Sequence, residues 1–185
     1  QPSSRMHFYV RKDVAGMMWE YGAAPAATAP ELKDPYEGAL QPITPDLVIG
    51  MTGSENGRFQ APRGIAVAPD GSIYVADSRN HRIQHFSSQG ELLNAWGSFA
   101  DAAQGNAPGG TFNEPWGLAV APDGSVYVAD TWNHRVQKFT AAGEFVTMWG
   151  YFGQAEKPEA FWGPRDVVVD AQGRVYVSDT GNKRV

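Results

Sequence analysis

Three stretches of the chain can be laid over one another without a gap. Pro62 to Gln84 reads PRGIAVAPDGSIYVADSRNHRIQ, Pro115 to Gln137 reads PWGLAVAPDGSVYVADTWNHRVQ, and Pro164 to Val185 reads PRDVVVDAQGRVYVSDTGNKRV. A repeat spaced at about 50 residues makes the fold an array, in which one supersecondary unit recurs and buries its faces against its neighbours. Each copy divides in the same way. A short apolar strand (Gly64 to Ala68, Gly117 to Ala121, Asp166 to Asp170) enters a tight turn at Asp70-Gly71 or Asp123-Gly124, where glycine supplies the positive φ that a hairpin needs. The second strand, IYVAD or VYVAD, is apolar or small on both faces, so it is covered on both sides. A polar corner leads to a third strand, Arg82 to Phe86, and Gln89-Gly90 leads to a fourth, Glu91 to Trp96. Four antiparallel strands at this period describe one blade of an all-β propeller.

The pattern P-x-G-I-A-V-x-x-D-G-x-I-Y-V-A-D-x-x-N-H-R-I-Q-x-F resembles the NHL repeat, with its Asn80-His81 and Asn133-His134 corners. The resemblance runs three times in register over about residues 46 to 185. It implies propeller blades, usually six to a ring, and a family that includes RNA and protein binders, extracytoplasmic modules and a few lyases or hydrolases. The third copy departs from the pattern, with Asp166 for glycine, Ala171-Gln172-Gly173 for the Pro-Asp-Gly turn and Lys183 for histidine.

Residues 46 to 53 (DLVIGMTG) align with Glu91 to Gly97 and Glu144 to Gly150, and are expected as an outer, closing strand. With repeats near 62–97, 115–150 and 164–185, the chain holds about three blades, half of a six-bladed ring. Two chains are therefore expected to close one propeller as a homodimer, the Asp46 to Gly53 strand of each completing the last blade of the other. Residues 23–45 are rich in Ala and Pro and read as a linker. Residues 1–22 carry aromatic runs suited to a hairpin or to a short helix after Asp13.

Composition narrows the function classes. The chain of 185 residues has 15 Lys and Arg against 20 Asp and Glu, a formal charge of −5, which argues against a nucleic-acid clamp. It has no cysteine, so thiolate metal sites and cysteine nucleophiles are excluded. No apolar run approaches the length of a membrane-spanning helix, and no calcium loop, P-loop or nucleophile elbow is present. Neither a metal nor another cofactor is expected. Analogy with multidomain members of the family favours an extracytoplasmic setting.

Two groups of polar residues remain. Asp77, Asn80 and Arg82 recur as Asp130, Asn133 and Arg135 and as Asp179, Asn182 and Arg184, and are expected to be architecture, because a catalytic group is needed once per site. Ligand contacts are expected where the copies disagree at one end of the blades. Those positions are Arg63, Trp116 and Arg165 after the repeat proline, and Arg79 and Trp132 in the corner. Guanidinium forks suit carboxylate or phosphate, and indole faces suit sugars or cations. The leading expectation is a binding module for a glycan, peptide or protein. The alternative is a hydrolase or lyase at the channel mouth, with Asp166, His81 or His134 as acid or base.

Overall fold

Proline opens the first strand of every copy, a position where its missing N–H costs the ladder nothing. The computed structural model describes Gly38, residues 44–154 and residues 156–185. The first strands are β1 (Pro62–Val67), β5 (Pro115–Val120) and β9 (Pro164–Val169). Each turns through a glycine at positive φ (Gly71, Gly124 and Gly173) into β2 (Ile73–Asp77), β6 (Val126–Asp130) or β10 (Val175–Asp179). In the first turn Asp70 accepts from the Ser72 amide, which closes the loop locally. The numbering of strands in the chain is completed by β3 (Arg82–Phe86) and β4 (Leu92–Trp96) in the first copy, and by β7 (Arg135–Phe139) and β8 (Phe145–Trp149) in the second.

All pairings are antiparallel. The sheets are β1-β2-β3-β4, β5-β6-β7-β8 and the two-stranded β10-β9, so two blades are complete and the third contributes its inner pair. Its next strand is represented by a single bridge, Asp179 to Arg184.

The blades stack through two apolar layers. Tyr74, Ala76 and Ile83 of the first blade meet Leu118, Val126, Val128 and Phe139 of the second. Ala119, Tyr127 and Val136 on the second blade's other face meet Phe161 and Val167 of the third. This double coverage is why β6 is buried along its whole length. Phe112 and Phe161, from the loops that enter the second and third blades, are buried in the layers, whereas Phe99, Phe152, Tyr151 and Trp162 stay exposed.

The two outer faces of the stack lack this cover. Ile65 is 69% exposed, against 5% for Leu118 at the equivalent position, and Tyr176 is 41% exposed, against 8% for Tyr127. The same sequence pattern is thus buried or bare according to whether a neighbouring blade covers that face.

Within the single chain residues 46–53 form no ladder: residues 47–51 pair with no strand, and Thr52 bridges Phe59 within the loop that follows. The edge expected for them belongs to the last blade of a second copy, since among the described residues both β3 and β7 are already paired on both sides. The register shifts. Gly50, rather than Gly53, takes the place of Gly97 and Gly150, because it packs on Phe59 as they pack on Phe112 and Phe161. The expected hairpin or helix of residues 1–22 lies outside the described residues, as does nearly all of the linker. Among the described residues no helix is long and apolar enough to cross a membrane.

Candidate functional site

The recurring Asp-Asn-Arg set builds the corner after each second strand. Asp130 is fully buried and accepts four hydrogen bonds. The Asn113 amide donates at 2.7 Å, Asn133 at 2.9 Å, Arg135 Nε at 2.7 Å and Gln137 Nε2 at 3.0 Å. Asp77 is held in the same way by the Gln60 amide, Asn80, Arg82 and Gln84, and Asp179 by the Trp162 amide, Asn182 and Arg184. Burial raises the Asp130 carboxyl above its ordinary value, while the Arg135 charge and the surrounding donors oppose that shift. The arginines also reach carbonyls of the incoming loop, as Arg135 does at Thr111. Each network therefore ties a corner to the loop entering its own blade.

Gln84 and Gln137 belong to these networks but were not singled out from the sequence. Both are fully buried, and each also accepts from a loop glycine amide, Gly57 or Gly110. The signal was present: glutamine recurs two residues after the arginine, on the same side of the strand.

The histidines serve the junctions between blades. His81 and His134 occupy left-handed corner positions, at φ 53° and 55°, and Lys183 takes the same conformation in the third copy at φ 56°. Nδ1 of His81 accepts from the Glu114 amide of the next copy, and Nδ1 of His134 accepts from the Gly163 amide. Burial lowers the pKa of both imidazoles, which favours the neutral ring that this acceptor role requires. Their rings lean on Phe99 and Phe152. Ser78 and Thr131 cross the same junctions to the carbonyls of Pro115 and Pro164.

The positions that differ among copies gather at one end. Corner and incoming loop meet there through Arg79 N to Gln60 O, Trp132 N to Asn113 O and Gly181 N to Trp162 O. An open cavity of about 380 Å³ is lined by Arg63, Gly64, Ile65, Trp116, Gly117, Leu118, Arg165 and Asp166. The Arg63 guanidinium lies 3.8 Å from the centre of a Trp116 ring, and the Arg165 guanidinium lies 3.7 Å from it. The two cations come from the blades on either side of the tryptophan, so the indole stands between them. Arg165 also lies 5.5 Å from the Trp132 ring.

The backbone before this triad is unusual. Ala61 and Glu114 hold φ at 46° and 47° directly before the repeat prolines, where Gly163 has 62°. Left-handed non-glycine residues store strain, and here they set the direction in which Arg63 and Trp116 leave the turn.

Not every sequence candidate joins the triad. Arg79 is exposed, and its side chain makes no hydrogen bond or ion pair with a described residue. Asp166 lines the cavity and accepts from the Val167 amide. His81 and His134 are not among the lining residues and are occupied at the blade junctions.

The NHL repeat family matches this chain at residues 59–86, 112–139 and 161–185, the three segments that run from the entry loops through the corner networks. These three segments are NHL repeats. Mouse peptidyl-glycine alpha-amidating monooxygenase is 29% identical over 157 residues, which cover 80% of this NHL chain and 16% of that protein. Human NHL repeat-containing protein 3 is 29% identical over 140 residues, covering 70% of this chain and 40% of that one. A chain from a nidogen/laminin complex is 18% identical with a TM-score of 0.49, covering 66% of this chain and 41% of its own. The NHL chain thus spans well under half the length of these two curated relatives.

Proposed function

We propose that this NHL chain is a non-catalytic binding module that offers the Arg63–Trp116–Arg165 end of its blades to a peptide, protein or glycan. One observation carries the reading. Two guanidinium groups are held against a single indole, and their side chains make no hydrogen bond or ion pair with any described residue. A scaffold that spends its other repeated arginines on buried aspartates keeps these two for something else. A hydrolase or lyase would need an acid–base partner beside Asp166, and both junction histidines already use Nδ1 on backbone amides. The test is an array of peptides and glycans probed with the wild-type chain and Trp116→Ala. Hits weakened at least about tenfold by the substitution support the module. Hits indifferent to Trp116, or turnover of a hit, overturn it.

For assembly, we propose that two copies pair head to tail into one six-bladed ring. The bare Ile65 and Val67 face of the first blade is chemically the same surface as the one on the second blade that Tyr74 and Ala76 cover. The bare Val168 and Tyr176 face of the third blade matches the Ala119 and Tyr127 face that Val167 covers. A second copy brings these two faces together twice, by the same junction in each direction, as a two-fold dimer requires. Light scattering is expected to give twice the 20.1 kDa chain mass, and Ile65→Asp is expected to give monomer. A wild-type chain that is strictly monomeric, its outer faces left for other blades, overturns the pairing.

A further inference from the structure

We infer that the ligand of this end is an acidic polypeptide segment, whose carboxylates are held by Arg63 and Arg165. The inference rests on the binding-module reading and narrows it. Of the arginines in the described residues, Arg58, Arg82, Arg135, Arg174 and Arg184 each hold a carboxylate, whereas Arg63, Arg79 and Arg165 hold none. Arg63 and Arg165 each lie within 4 Å of the Trp116 ring centre, so two like charges are fixed well inside one Debye length of each other. A pair of anionic groups relieves that repulsion.

The stacking also decides which chemistry fits. A guanidinium over an indole is attracted through its charge and uses none of its N–H donors on the ring, and the fork of those donors is shaped for a planar carboxylate. The indole, in contrast, has given both faces to the arginines. A neutral sugar ring therefore finds no face of Trp116 to stack on. Two donors of these residues, Nε1 of Trp116 and Nε of Arg165, are buried without an acceptor, as are His85 Nε2 and Trp96 Nε1 away from the cavity. Long phosphate polymers gain affinity through many basic contacts, and this end supplies few on a chain of charge −5. Asp166, exposed on the same cavity wall, repels an anion and directs it toward Arg63.

Tryptophan emission of the full chain, titrated with a hexaglutamate peptide, tests this. Hexaglutamine, a malto-oligosaccharide and inorganic phosphate serve as the other probes. The expected result is saturable binding of hexaglutamate that weakens with added salt and far exceeds binding of the other three. Arg63→Gln and Arg165→Gln are each expected to weaken it about tenfold, the scale of one charge-assisted pair. Asp166→Asn is expected to tighten it severalfold. Arg63 is exposed, so its substitution leaves the fold intact and the test interpretable. Equal binding of hexaglutamate and hexaglutamine, equal binding of phosphate, or no binding of hexaglutamate overturns the inference. Trp116-dependent binding of the sugar or the neutral peptide would overturn it while leaving the module reading in place.

Discussion

Asp130→Ala is expected to lower the unfolding free energy by about 3–5 kcal/mol, the loss typical of breaking a buried ion pair from one side. The carboxylate satisfies four donors, and its removal strands Arg135, whose side chain is only 6% exposed, as an unpaired buried charge. The repeat supplies its own controls. The partner arginines of Asp77 and Asp179 are 12% and 26% exposed, so water compensates them progressively better. Urea unfolding should rank the losses Asp130→Ala, then Asp77→Ala, then Asp179→Ala. Equal losses at the three sites, or a loss below about 1 kcal/mol at Asp130, would show that the corner is held by its backbone rather than by the charge network. Asp130→Asn keeps the shape and gives up the charge, and should fall between wild type and alanine.

That ranking depends on features with different legibility in the sequence. The Asp-Gly turns and the recurrence of Asp77, Asn80 and Arg82 are local, because the hydrogen bonds within each span five residues or fewer. Their grouping as a corner was readable from spacing alone. The partners across the copy, such as the Gln60 and Asn113 amides, lie 17 residues away and are backbone groups that any residue type supplies. The junction role of His81 was hidden for the same reason: its acceptor bond goes to the backbone of Glu114, 33 residues on.

The candidate site shows the same division. Arg63, Trp116 and Arg165 stood out because they differ among otherwise matching copies. Their stacking did not, because it depends on how closely neighbouring blades approach, a distance that no residue spacing encodes. Residues 46–53 show the opposite case. Their likeness to β4 and β8 is real at Gly50, but a strand also needs an edge, which sequence similarity does not supply and which the proposed dimer would take from a second copy.

Blade spacing at the mouth leads to the second large effect. Gly117→Ala is expected to cost about 3 kcal/mol or more, at the upper end of overpacking losses, since the obstacle is largely backbone. A Cβ on Gly117 would stand 2.5 Å from the Asp166 Cα and 2.7 Å from the Arg165 carbonyl oxygen. Such contacts force the second and third blades apart at the end where Arg165 rests on Trp116. Gly64 faces the second blade in the same manner, so Gly64→Ala should cost a similar amount at the first junction. Asp166 occupies the equivalent position in the third copy, and it is exposed. Its side chain fits because no further blade covers it among the described residues; in the proposed dimer it would hold the junction between copies wider than the two internal ones. Asp166→Gly should therefore leave the stability of the single chain nearly unchanged, whereas Gly117→Ala lowers both the urea midpoint and the affinity for hexaglutamate. If Gly117→Ala unfolds like wild type, the blades have room to shift, and the stacking of Arg165 on Trp116 is not fixed by glycine at the junction.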